Sequence, residues 1–312
     1  MLSPATARAS VPGSHVVREF DSGGISAVKI KSIATVILLG AWGATASAQA
    51  SGKLLYSFMG SSDGDGQGPD SALVVDKLGN LYGTTELGGT SGQCGGPGCG
   101  TVFELSPDTA GGWNETVLYR FTDSSDGENP IGLVFDKSGN LYGTTYYGGT
   151  GDCRNSCGTV YELSPNGSGG WIHTVLYNFQ YSSDADYPDS PMIFDKAGNL
   201  YGTAQVGGSA QQGAVFELSP NGNGAWNESV LYSFQDGNDG EWPYGLVFDD
   251  ANNLYGVTSY GGDGDGCTYG CGTTYKLSPN GDDGWTESVI YRFCTQPGCT
   301  DGAQPFSTLG NL

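Results

Sequence analysis

The chain has 312 residues, enough for one large or two ordinary domains, and its 33 acidic against 12 basic side chains give a formal net charge of −21. Residues 51–312 alone hold 8 basic and 31 acidic residues, net −23. A chain this acidic repels nucleic acid and anionic membranes, which removes both from the expected partners.

Residues 1–27 are polar and carry no pattern. Residues 28–50, VKIKSIATVILLGAWGATASAQA, set two lysines before an apolar run and follow it with small-residue cleavage options at 46–48 and 48–50. That order predicts a Sec-type secretory signal. The run at 33–44 is short for a transmembrane helix, which needs about 20 apolar residues, and a buried helix is the plainer alternative. No second apolar run follows, so no membrane span is expected in the mature chain, which is placed outside the cell or at its surface. A 27-residue leader before a signal is unusual and suggests translation from Val28. The expected organisation is leader and signal over 1–50 and one repeat domain over 51–312.

The domain repeats itself. The string NLYG recurs with Leu at 81, 141, 200 and 254, a period typical of propellers and arrays. In the second copy four β-like runs follow one another: GLVFD (132–136), NLYGTT (140–145), GTVYELSP (158–165) and WIHTVLYNF (171–179). Short runs rich in Val, Leu, Tyr, Phe and Thr, separated by Gly, Asn, Asp and Pro, are half-buried antiparallel strands. Between the first two lies Asp-x-x-Gly, which fits a type I turn with a left-handed fourth residue. That place is held by Gly79, Gly139, Gly198 and then Asn252, the two residue types that adopt positive φ most readily. The motif is therefore turn chemistry. A phosphate-binding loop would be followed by a helix, not a strand.

Four-stranded units in series predict an all-β, β-propeller-like fold, with a stacked solenoid or sandwich array as the rival. Four complete four-stranded repeats run over about 72–121, 131–179, 190–234 and 245–293. LLYSF at 54–58 supplies a lone outer strand ahead of them, which a closed ring would add to its last blade, and an incomplete repeat occupies 301–312. The ring is expected to be open or the chain truncated, with an apolar blade face left uncovered. The turns at Asp-x-x-Gly and Pro-Asn-Gly share one end of the sheet. The Gly-Gly loop and the inter-repeat link Asp-Gly/Ala-x-x-Pro share the other, where binding loops are expected.

The string GLVFDKSGNLYGTTYYGG…CGTVYELSP…VLYNF resembles the GloVer tandem repeat of bacterial secreted proteins, the choice-of-anchor group, across residues 53–305. The hairpin is also similar to hairpins of other bacterial propellers. The resemblance implies an exported repeat protein and carries over no reaction, ligand or catalytic residue. The sequence departs from that pattern in showing no terminal anchoring segment, which leaves open whether the protein is released or the chain truncated.

All eight cysteines lie in close pairs: Cys94 and Cys99, Cys153 and Cys157, Cys267 and Cys271, Cys294 and Cys299. The first three pairs occupy one loop position, and the third repeat loses both members together, as disulfide partners would. Zinc would need converging ligands, and the chain has only His15 and His173. With His173 inside an outer strand, a catalytic triad is not expected. The candidate binding face is built from the link loops: Asp126, Glu128, Asp184, Asp186, Asp239 and Glu241, with Tyr187 and Trp242 as aromatic platforms for a sugar or peptide. Trp113, Trp171, Trp226 and Trp285 recur and read as blade packing. Calcium is the only cofactor the sequence leaves open, from the acidic runs at 63–68 and 263–266. The expected function is noncovalent binding or a structural role, with carbohydrate or protein as partner and no catalysis. The alternative is a glycan hydrolase or lyase using paired carboxylates.

Overall fold

The computed structural model describes residues 16–20, 52–60, 64–89, 94, 96–122, 125–181, 184–235, 237–262, 266–281 and 284–306. The signal-like segment at 28–50 and the end of the incomplete repeat at 307–312 lie outside them. Strands β1 (Val16–Phe20) and β2 (Gly52–Ser57) form a two-stranded antiparallel ribbon. Four antiparallel blades follow. The first holds β3 (Gly66–Pro69) and β4 (Val74–Val75) along one edge, then β5 (Leu81–Gly88), β6 (Thr101–Pro107) and β7 (Trp113–Arg120). The second holds β8 (Glu128–Phe135), β9 (Leu141–Tyr147), β10 (Thr159–Pro165) and β11 (Trp171–Asn178). The third holds β12 (Ala185–Pro188) with β13 (Ile193–Phe194), then β14 (Leu200–Gly207), β15 (Ala214–Pro220) and β16 (Trp226–Ser233). The fourth holds β17 (Glu241–Phe248), β18 (Leu254–Tyr260), β19 (Thr273–Pro279) and β20 (Trp285–Arg292). The blades are propeller-like, and no sheet closes on itself.

The first strand begins earlier than the residue pattern suggests, at Glu128 and Glu241, so the link loop is itself partly strand. It is continuous only in the even blades, where Gly132 and Gly245 at φ 52° and 58° make a bulge. In the odd blades one extra residue, in Asp70-Ser71-Ala72 and Asp189-Ser190-Pro191, breaks it in two.

Within each blade the Asp of the turn collects its own motif. Asp76 Oδ1 accepts the amides of Leu78 and Asn80, while Oδ2 accepts Asn80 Nδ2 and the Tyr82 hydroxyl. Asp249 repeats all four contacts. The fourth turn residue is left-handed in every copy: Gly79, Gly139 and Gly198 at φ 87°, 90° and 98°, and Asn252 at 62°. Buried hydroxyls also pair across strands: Thr85 with Thr101, Thr145 with Thr159, Thr258 with Thr273. The third blade replaces both partners, with Ala204 opposite Ala214, which removes donor and acceptor together and leaves neither unsatisfied.

The core lies between blades. Tyr82, Tyr142 and Tyr201 each meet the Phe that ends the next blade's first strand edge-on, at 5.1 Å from Phe135, Phe194 and Phe248. The next blade's Trp171, Trp226 or Trp285 closes on the same Tyr at 6.2 to 6.5 Å, so these tryptophans are blade packing, as the sequence indicated. A second contact sets Phe121, Phe179 and Phe234 against Tyr161, Phe216 and Tyr275. Phe58 makes it with Phe103 at 4.8 Å. The lone strand β2 therefore stands where an outer strand of a preceding blade would, but its partner is β1, not the last blade. On the far face of the fourth blade Tyr255 is partly exposed, where Tyr82, Tyr142 and Tyr201 are buried.

Candidate functional site

All four expected disulfides form: Cys94–Cys99, Cys153–Cys157, Cys267–Cys271 and Cys294–Cys299. Each closes a loop of a few residues, so it stiffens that loop more than it limits the unfolded chain. The stiffened loop is a docking point. The carbonyls of Cys99, Cys157 and Cys271, and of Gln212 in the blade without cysteines, accept the amides of Asn129, Tyr187, Gln304 and Trp242 from the next link. Those four residues are left-handed, at φ 58°, 57°, 50° and 56°. The following proline then presses on the Gly after the second Cys, as Pro130 does on Gly100 and Pro188 on Gly158, where a Cβ would meet the ring at 2.4 and 2.8 Å.

The link acids divide by position. The first, which includes the candidates Asp126, Asp184 and Asp239, is held by the outer strand of the blade before it. Asp126 accepts the Tyr119 hydroxyl at 2.7 Å, Asp184 that of Tyr177 at 2.9 Å, and Asp239 that of Tyr232 at 2.8 Å, each with backbone amides in addition. Asp65 and Asp301 do the same with Tyr56 and Tyr291. These carboxylates latch blade to blade. The Asp65 oxygens of the first acidic run are taken by Tyr56 and the amides of Met59 and Gly66, while much of the second run, 263–265, lies outside the described residues. In the third link position, Glu128 and Glu241 sit in β8 and β17 opposite Tyr147 and Tyr260, and burial holds the Glu128 carboxyl above its usual range. Asp186 is buried within 4.8 Å of the Cys153 and Cys157 sulfurs, which are bonded to each other and offer no thiolate to a metal.

Against the latches at Asp65, Asp126, Asp184 and Asp239 lies one further group each from the next blade's outer strand: Glu115, His173, Glu228 and Glu287. The Glu115 carboxyl is pushed up to about 7 by burial and the Asp65 charge, against Arg120. Glu287 reaches about 7 by burial and Asp239, against Arg292. Glu228 is raised by burial and by Asp184 and Asp186. His173 stacks on Tyr119 at 4.3 Å, and burial pulls it down to about 4 against the Asp126 charge. It is a packing residue, as expected.

Tyr187 and Trp242 pack against tyrosines of the second strands of the second and fourth blades. Tyr187 stacks on Tyr146 at 5.2 Å and donates its hydroxyl to the Arg154 carbonyl at 2.9 Å, and Trp242 meets Tyr260 edge-on at 4.8 Å. Tyr146 opens onto a cavity of about 250 Å³ at the link end of the axis, where the inner strands of all four blades converge. Asp70, Ile131, Asp189 and Tyr244 line it from the position after the link proline. Glu86 and Tyr146 join them from the second strand, with Asn129, Tyr147 and Phe306 at the walls. None of these is on the candidate list read from the sequence. Asn129 Nδ2 donates to Glu86 at 3.1 Å, Tyr146 donates to Gln205 Oε1 at 2.5 Å, and Tyr244 donates to Asp189 Oδ2 in a short bond. Burial raises the Asp189 carboxyl to about 6. The Tyr244 bond works against this rise, and the charges of Asp70 and Glu86 add to it.

A signal for these residues was present in the repeat itself. The scaffold positions barely change between copies, whereas the residue after the proline reads Asp, Ile, Asp, Tyr and Phe, and the residue after Thr-Thr or its equivalent reads Glu, Tyr, Gln and Ser. A wider opening of about 740 Å³ at the opposite end is lined by the turns of the second, third and fourth blades, where Lys137 and Lys196 give way to Asp250 and Gly198 to Asn252.

The family model of the Gloeobacter/Verrucomicrobia repeat matches residues 41–169 and 93–311. The chain belongs to that repeat family. No curated protein matches it. Among solved structures it is similar to a protein of unknown function from Dyadobacter fermentans, with 12% identity and a TM-score of 0.46 over 71% of this chain and 69% of that one. It is similar to a putative gluconolactonase, at 13% identity and TM-score 0.44, over 78% of this chain and 68% of that one. An inulosucrase from Halalkalicoccus jeotgali bound to kestose has 14% identity and TM-score 0.45, over 73% and 72%. Likenesses at this level carry no argument about chemistry.

Proposed function

We propose that this repeat-family protein is exported and acts as a noncovalent binding module, with its ligand seated in the axial cavity. The observation that carries the reading is that the wall of an enclosed cavity changes from repeat to repeat while the residues of the blade interfaces coincide. A ligand with no internal fourfold order needs such a wall. The links dock on the disulfide-stapled Gly-Gly loops, and this support for the wall limits the ordering cost of binding. Tyr146, Tyr147, Tyr244 and Phe306 offer aromatic faces and Asp70, Glu86, Asn129 and Asp189 offer polar contacts, the mixture that suits a glycan. The test is a polysaccharide array on the oxidised protein, with calcium and with chelator, repeated on Tyr146→Ala. Binding lost in that variant supports the reading, and a blank array from folded protein removes it.

One observation favours the catalytic alternative: a carboxyl raised to about 6 beside two other acids is what a general acid in glycan cleavage requires. Turnover that disappears in Asp189→Ala alone would replace binding by hydrolysis.

A further inference from the structure

We infer that the ligand of the axial cavity is a saccharide carrying a protonated primary amine, an inference that rests on the axial site proposed above. Three carboxylates, Asp70, Glu86 and Asp189, face the cavity, and among the described residues no lysine or arginine lines it. Anionic sugars are therefore disfavoured, and a neutral one would leave the acids repelling each other.

The acids are not the whole case. Four aromatic rings share the wall, with Tyr146 against Tyr147 at 4.6 Å and Tyr244 against Phe306 at 4.3 Å, and aromatic faces attract cations through their quadrupole. A metal ion is the obvious rival, but it needs converging oxygens. Among the described residues the clusters tight enough to hold a metal are built around disulfide cysteines, and none includes these three carboxylates. The spread of the charges and the flanking rings fit an organic cation. A volume of about 250 Å³ lies just below the usual range for ligand sites, roughly 300–1,000 Å³, so it takes about one residue of a longer chain whose remainder lies over the open link face. Binding a cation there also draws the proton off Asp189, so affinity rises as pH passes upward through about 6.

The test is calorimetry on the full chain at a pH of about 6.5, just above the value of about 6 to which the Asp189 carboxyl is raised. The ligands are fully de-N-acetylated chitotetraose, its N-acetylated form, and tetralysine. The free-amine sugar should bind at least about tenfold tighter than either comparator, a difference of about 1.4 kcal/mol. Glu86→Gln, at an exposed position that cannot unfold the blade, should weaken it by about the same factor, and so should Asp189→Asn. Equal binding of the acetylated sugar would overturn the amine and keep the axial site. Equal binding of tetralysine would reduce the effect to general attraction by an acidic protein and overturn the inference. Binding by no sugar, with the variants silent, would overturn the site and the inference together.

Discussion

The blade interfaces and the axial mouth are made by the same repeats yet obey opposite rules. At the interfaces each copy supplies the same parts: the Tyr–Asp latch, the Tyr–Phe–Trp cluster and the proline seated on glycine. At the mouth the copies differ, with Asp, Ile, Asp and Tyr after the link proline and Glu and Tyr from the second strands of the first two blades. Packing an identical module against itself rewards identity, because a contact that works once works at every junction. Recognition of one ligand rewards difference. Under the proposed function, the interfaces carry the fold and the mouth carries the recognition.

The largest expected effect comes from breaking an interface. Phe179 is fully buried against Phe216, and Phe179→Ala should cost about 3–5 kcal/mol, read from urea unfolding, with parallel loss of binding because the mouth depends on the blades. An axial variant such as Tyr146→Ala should lose binding with a far smaller stability loss. If the two variants behave alike, the division drawn above fails.

The latches give the second effect, and it depends on pH. Glu115 and Glu287 are raised to about 7 in the fold against about 4.3 in the unfolded chain. The unfolded state therefore releases protons first, and the stability these groups contribute is full below about 4.3 and lost as pH rises to about 7. Glu228, raised by burial beside Asp184 and Asp186, acts in the same direction. His173 runs the other way. Lowered to about 4, it stays neutral in the fold, and its junction weakens as pH falls from about 6.5 towards 4. Thermal melts from acid to mild base should show Glu228→Gln stabilising at high pH with no gain at pH 4. Hydrogen exchange should open the junction of the first two blades first in acid and the other latched junctions first in base.

A third, smaller effect isolates the turn. No atom lies within 4 Å of a Cβ built on Gly139, so Gly139→Ala tests backbone strain alone and should cost about 1–2 kcal/mol. Asn252→Gly should be neutral within about 0.5 kcal/mol. The smallest effect is expected at the mouth: Asp70→Asn should shift stability by less than about 0.5 kcal/mol while changing affinity. Denaturant midpoints on the set decide both.

Much of the fold was legible because its signals are local. Strand alternation, turn glycines and cysteine pairing act over a few residues, and repetition confirmed each reading three more times. The break of the first strand at Asp70 and Asp189 was missed, since one inserted residue looks the same in sequence whether it forms a bulge or a gap. Of the six candidate acids, three are held by tyrosines of the preceding blade. Asp126, Asp184 and Asp239 recur because tyrosines of the preceding blade require them.

The sequence by itself determined the four-run order of each repeat, the left-handed turn positions, the disulfide partners and the repeat family, because each rests on backbone sterics or on residues close in the chain. Only the tertiary structure decided which acids are latches and which face the axis. Asp70, Glu86, Asp189 and Tyr244 are spread over 175 residues of chain and share a wall because blade packing turns every inner strand towards one line. Proximity of that kind is set by the accumulated geometry of all the interfaces and is written in no single segment.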